Sequence, residues 1–300
     1  MRLDAALDRF SELADDRRLG IEGVHVVLDD GRSAERRWID DIRRDVFSVS
    51  NTVTSLAIGM LEDDGLLSLD DSVVSHLPEL ADTMTPGGDA MTVRHLLCMT
   101  AGNGYLWLDP DADHPGDPAR DFLATPLVAK PGTVYRYAGG NSYVLGRIVH
   151  SVSGLDLRDF LLPRLFSPLE IRNPQWLRCP LGFPLGAIGL QLRTSEIARI
   201  ARLLLGGGIH HGERLVSANY IARMITETTQ TGRAEPDNRT YGLHVWLCSR
   251  DQAWRMDGIY GQFGIMLPES GACVSVTAHY RGPTTDILEA VWEQVVPALA

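Results

Sequence analysis

The chain has 300 residues, 44% of them hydrophobic, with 39 acidic against 28 basic side chains and a formal charge of −11. That is enough apolar material for a full core, in one large domain or in two lobes sharing a site. The negative balance argues against nucleic acid and anionic membrane as partners, because both select basic surface.

Residues 1–10 intersperse charges with apolar side chains at helical spacing and predict an amphipathic opening helix. They lack the unbroken apolar run of an export signal, which points to a cytoplasmic location. Residues 24–28 read as a strand, Asp29-Asp30-Gly31 as a turn, and the segment through Trp38 as a returning strand, together a hairpin. A helix over 47–61 follows, and from Leu66 to about Trp176 the pattern is helical or loop-like, with a proline- and aspartate-rich passage at 109–118. A helix over 194–205, β-rich runs at 243–247 and 273–277, and a closing helix near 287–296 complete the chain. This order predicts an α/β sheet lobe (1–65 and 190–300) interrupted by an all-helical lobe (66–189), with a ligand site in the cleft between them. There is no internal repeat.

Cys98, Cys179, Cys248 and Cys273 show no C-x-x-C spacing and read as reduced, buried thiols rather than a disulfide framework. His95, His210, His211, His244 and His279 offer no H-x-x-x-H spacing, so neither a metal nor a cofactor is expected. His244 and His279 are read as strand residues, on which either face is possible.

Several stretches carry a resemblance in order and spacing. Ser48-Val49-Ser50-Asn51 opens the helix over 47–61; residues 91–102 read MTVRHLLCMTAG; residues 131–137 read PGTVYRY; and Leu165-Phe166-Ser167-Pro168-Leu169, residues 189–199 and Gly258-Ile259-Tyr260-Gly261-Gln262 follow. Together they resemble the serine β-lactamase and penicillin-binding-protein superfamily, in its esterase-like and 6-aminohexanoate-dimer-hydrolase-like branch. The resemblance implies a β-lactamase/transpeptidase-like α/β fold, an antiparallel sheet flanked by helices plus the helical lobe. It also implies that Ser48 is the acyl-accepting nucleophile, that Tyr137 is the tyrosine of a Tyr-x-Asn motif, and that the backbone N–H groups of Ser48 and Ile259 form an oxyanion hole.

The chain departs from the family pattern where the chemistry is densest. The Ser-x-x-Lys lysine is Asn51, the asparagine two residues after Tyr137 is Gly139, and the third motif, Lys or His followed by any residue and glycine, reads Met256-Asp257-Gly258. An amide has no useful basicity near neutrality, so the family's base is missing. Asp257, a carboxylate on the strand expected to line the cleft, is a catalytic candidate that could act as acid, base or cation anchor. Each residue also has a plainer reading: Ser48 as a helix cap, Tyr137 as a neutral donor or core aromatic, Asp257 as a turn or surface carboxylate. Asn51, Gly139, Met256 and Gly258 are expected around the pocket, with Trp107 and Trp176 on its rim. Three classes of function remain open: a noncanonical serine hydrolase or acyltransferase acting on a small molecule, a biosynthetic enzyme doing non-covalent chemistry in the same pocket, and a catalytically inactive binder.

Overall fold

The computed structural model describes residues 2–105 and 116–299, so Trp107 lies outside the described residues. Helix α1 (Arg2–Asp16) leads into strands β1 (Ile21–Leu28), β2 (Ser33–Arg37) and the short β3 (Arg44–Asp45), then α2 (Val49–Asp63). The middle of the chain supplies α3 (Val93–Leu97), α4 (Pro118–Ala124), α5 (Gly139–Ser153) and α6 (Leu157–Leu161). After β4 (Gln191–Leu192) come α7 (Thr194–Leu205), the small hairpin β5 (Ile209–His210) and β6 (Glu213–Arg214), and α8 (Ala218–Thr226). Strands β7 (Thr229–Gln230), β8 (Thr240–Tyr241), β9 (Trp246–Leu247), β10 (Trp254–Gly258), β11 (Gln262–Leu267) and β12 (Ala272–Ala278) precede α9 (Thr285–Gln294).

Eight strands form one sheet in the order β2-β1-β12-β11-β10-β9-β8-β7, with every neighbour antiparallel. Its strands come from the two ends of the chain, which places β1 beside β12 with Val24 opposite Val276. Alternation sends side chains to both faces. Phe263, Ile265 and Leu267 of β11 pack with Leu7 and Phe10 of α1 and Ile287 and Val291 of α9, whereas Met266 joins the opposite core with Ile197, Ile200 and Leu204 of α7. The spacing Ala6, Leu7, Phe10, Ala14 is the apolar stripe that holds α1 on the sheet. Burying a side chain such as Phe10 contributes roughly 1.5–3 kcal/mol.

Helix α2 is enclosed: every residue from Val49 to Leu61 is buried. It packs against α5 on one side and the sheet on the other, within a core cluster that draws residues from α2, α5, α7 and α8. Helix α3 starts at a capping box in which Thr92 Oγ1 accepts the His95 N–H at 3.3 Å and His95 Nδ1 accepts the Thr92 N–H at 3.2 Å. His95 is thereby committed to structure. The β-rich run predicted over 243–247 is a strand only at Trp246–Leu247; His244 sits in a turn with φ of 62°, and His279 falls just after β12. The four cysteines are free thiols, three of them buried, and burial pushes Cys98 and Cys248 up to about 11 and Cys273 to about 12, which makes them poor nucleophiles. No described helix is long and apolar enough to cross a membrane.

Candidate active site

The backbone turns sharply between β3 and α2. Phe47 has φ of 46°, a left-handed conformation that costs a residue with a side chain about 1–3 kcal/mol. Asp45 braces it, accepting the Phe47 N–H at 2.7 Å and the Gly189 N–H at 3.0 Å, and the Phe47 ring meets Tyr260 edge-on at 5.2 Å. Ser48 follows at the N-cap of α2, yet its side chain makes no capping bond. The capping alternative is therefore corrected: the hydroxyl is held at the helix start without being used there.

Ser48, Tyr137, Asp257 and Ile259 line one cavity of about 150 Å³, together with Arg233, Asn238, Trp246 and Thr284. Gly258 explains how β10 reaches the serine. A Cβ at that position would stand 2.4 Å from the Val46 carbonyl oxygen, so only glycine lets the end of β10 come against the β3–α2 segment. Gln262 steadies the turn beyond it, donating to the Ala278 carbonyl at 2.6 Å. Among the described residues, neither the Ser48 N–H nor the Ile259 N–H has an internal acceptor. Two unclaimed donors at a helix start and a tight turn suit a developing oxyanion.

Asp257 reaches the cavity, but its carboxylate carries Arg255: Nε and Nη2 donate to Oδ2 at 2.9 and 2.8 Å. Arg255 is 1% exposed and also donates to the Asp237 carbonyl at 2.7 Å and to Asn238 Oδ1 at 2.6 Å. Burial pushes the Asp257 carboxyl upward while Arg255 and Arg233 oppose it. Its geometry is that of an anchor for Arg255. Arg233 differs: its exposed guanidinium lies over the Trp246 ring, 5.1 Å from the centroid, and takes part in no ion pair among the described residues.

Tyr137 is stacked on Trp246 at 6.0 Å and meets Tyr241 edge-on at 5.9 Å. Burial pushes its hydroxyl up to about 12, with hydrogen bonding to Ser48 and Asn51 working against the shift. It is a neutral phenol. Behind it a buried polar line leads into the protein. Asn51 Nδ2 lies 2.7 Å from Tyr137 Oη, Asn51 Oδ1 lies 2.5 Å from Ser142 Oγ, and Ser142 Oγ lies 2.8 Å from His244 Nε2. His244 Nδ1 is 2.8 Å from the carbonyl of Leu97, at the end of α3. Asn51, Ser142 and His244 are 2%, 0% and 2% exposed.

Five pocket expectations are corrected. Asn51 is 2% exposed and stands behind the Tyr137 hydroxyl, outside the lining of the cavity. Met256 points to the opposite face of β10 from Asp257 and packs in the core against Gly264, as strand alternation requires. Gly139 opens α5 and contributes no side chain to the cavity. Gly258 acts through close backbone approach rather than as a lining residue. Trp176 is 5% exposed, donates its indole N–H to the Ile188 carbonyl at 3.0 Å, and borders a separate concavity with Arg158 and Gln175. The sequence reading missed Ser142, Arg233, Asn238, Trp246 and Arg255, and misplaced His244. In the sequence His244 and Arg255 show only that each is a polar residue between apolar neighbours, which does not mark a site.

The Beta-lactamase family profile matches residues 8–294. The chain is 24% identical to a 6-aminohexanoate-dimer hydrolase of Paenarthrobacter ureafaciens, across 95% of this chain and 77% of that one. It is 30% identical to a lovastatin esterase of Penicillium rubens over 54% of this chain and 46% of the relative. In three dimensions it is similar to a penicillin binding protein from Bacillus halodurans, with a TM-score of 0.73 at 17% identity, covering 95% of this chain and 97% of the other.

Proposed function

The chain belongs to the Beta-lactamase family, and from that footing we propose that it is a serine-dependent hydrolase or acyltransferase of small anionic esters or amides, working without a charged base. One observation carries the reading: an uncapped Ser48 hydroxyl shares a cavity with Tyr137 and with a turn whose Ile259 N–H, like that of Ser48, has no internal acceptor. Relatives named as a hydrolase and an esterase support acyl chemistry.

In this proposal Ser48 Oγ bonds to the acyl carbon and the carbonyl oxygen moves onto the N–H groups of Ser48 and Ile259. The serine proton passes to Tyr137 Oη while the phenolic proton passes to the leaving oxygen or nitrogen. The tyrosine is neutral before and after, as a hydroxyl pushed up to about 12 demands. Water or an acceptor alcohol then removes the acyl group by the reverse sequence. Arg233 receives an anionic group of the substrate, and a cavity of about 150 Å³ admits a small acyl portion. Without a lysine, turnover of β-lactams and simple esters is expected to be slow, since general-base assistance is worth about 10²–10⁴ in rate.

The test compares p-nitrophenyl acetate with p-nitrophenyl hemisuccinate. The expected result is a burst close to one nitrophenol per chain, abolished in Ser48→Ala, with the anionic ester favoured about tenfold in kcat/KM and that preference lost in Arg233→Ala. Unchanged turnover in Ser48→Ala would overturn the proposal and move the chemistry to non-covalent catalysis.

A further inference from the structure

We propose that Ser142 and His244 are positioning residues: they hold the Asn51 carboxamide with its carbonyl toward Tyr137, so that Ser48 aims its hydroxyl proton at Tyr137 and its lone pairs at the cleft. This deepens, and rests on, the reading of Ser48 as the nucleophile.

Each proton along the buried line is fixed by its neighbours. The Leu97 carbonyl can only accept, and it takes the His244 backbone N–H at 3.1 Å as well as facing Nδ1 at 2.8 Å. Nδ1 must therefore carry a proton. A neutral imidazole then has a lone pair at Nε2, which needs the single hydroxyl proton of Ser142, 2.8 Å away. Ser142 Oγ is left as an acceptor, so the carboxamide must offer it an N–H. The carbonyl of Asn51 then faces Tyr137, and the phenol must donate to it. With that proton committed inward, the remaining lone pairs of Tyr137 Oη accept from Ser48. Each group donates once toward the interior: Ser48 to Tyr137, Tyr137 to the Asn51 carbonyl, Asn51 to Ser142, Ser142 to His244, His244 to Leu97.

The carboxamide as placed has the reverse sense, Nδ2 toward Tyr137 and Oδ1 toward Ser142. That sense satisfies every group only if His244 is an imidazolium, donating from both nitrogens. His244 stands 2% exposed against the Tyr241 ring, and burial pushes its pKa down to about 3, the bond to Leu97 pulling the other way. Burying an unpaired charge there costs far more than turning an amide through 180° and opening the 2.5 Å contact to Ser142 by a few tenths of an ångström. During the reaction the phenolic proton leaves the Asn51 carbonyl by rotation about the Cζ–Oη bond and reaches the leaving group.

The experiment has two arms on the intact chain. Nitrogen-15 NMR of histidine-labelled protein is expected to show His244 neutral with its proton on Nδ1 across about pH 6 to 8; an imidazolium or an Nε2–H tautomer would overturn the proposal. In the second arm a fluorophosphonate probe labels Ser48. Labelling is expected to slow about tenfold or more in Ser142→Ala and to recover in Ser142→Thr, which keeps the hydroxyl, with Tm followed for each. Equal labelling rates in wild type and a folded Ser142→Ala would overturn it. If the wild type is never labelled, the nucleophile reading fails, and the tautomer of His244 still decides the polarity by itself.

Discussion

A lysine one turn after a nucleophilic serine supplies both a proton acceptor and a positive charge; an asparagine supplies neither. Asn51 is buried against Tyr137 and Ser142, whereas Arg233 lies over Trp246 and Arg255 is paired with Asp257. Tyr137 is thus a phenol that exchanges one proton for another rather than a base. Tyr137→Phe is expected to lower kcat for the preferred ester by about 10²–10⁴, with a stability loss of about 1–3 kcal/mol from the stranded Asn51 amide. Steady-state kinetics with a thermal melt separate the two effects, and a kcat within threefold of wild type would remove Tyr137 from the proton path. Because the raised pKa keeps the hydroxyl protonated up to about 12, kcat/KM should show no rising limb from this residue between about pH 7 and 10.

At the scale of elements, the site depends on how closely the end of β10 meets the start of α2. Gly258→Ala would place a methyl 2.4 Å from the Val46 carbonyl, so the turn carrying the Ile259 N–H must move away. The expected cost is about 1–3 kcal/mol in stability and, for a displaced oxyanion donor, about 10²–10³ in kcat with KM nearly unchanged. A folded Gly258→Ala with wild-type kcat would show that the turn contributes no donor. Much of this frame was legible in the sequence, because periodicity and turn residues are local signals: the β1–β2 hairpin, α7 and β12 fall close to their expected bounds, and α1 forms where expected but continues to Asp16. Ser48, Tyr137, Asp257 and Ile259 were legible through motif spacing. The line behind Tyr137 was not. His244 looked like a strand residue among Leu243, Val245 and Trp246, and only the positive φ of its turn points the ring at Ser142, which lies 102 positions earlier. A contact of that separation leaves no trace in local pattern, and Phe47 likewise shows nothing of its strained backbone until Asp45 and Gly189 are seen to hold it.

At the scale of the whole molecule, six tyrosine hydroxyls are held in surroundings that disfavour their ionisation. Burial pushes Tyr105 and Tyr137 up to about 12 and raises Tyr135, Tyr143, Tyr220 and Tyr241 further. Their unfolded-state pKa is about 10, so above that pH the unfolded chain loses protons that the folded chain keeps. The folded state then binds more protons, and stability falls as pH rises. Their contribution is complete below about pH 10 and is lost as pH climbs toward the folded values, so Tm should drop steeply above about pH 10 and a flat Tm there would contradict the buried phenols. The central claim, that a serine without a charged base is nonetheless acylated, is tested most directly by the intact mass of the protein quenched during turnover of p-nitrophenyl hemisuccinate. The account predicts a single succinyl adduct on the peptide containing Ser48, absent from Ser48→Ala; turnover with no adduct, or an adduct that persists in Ser48→Ala, would contradict it.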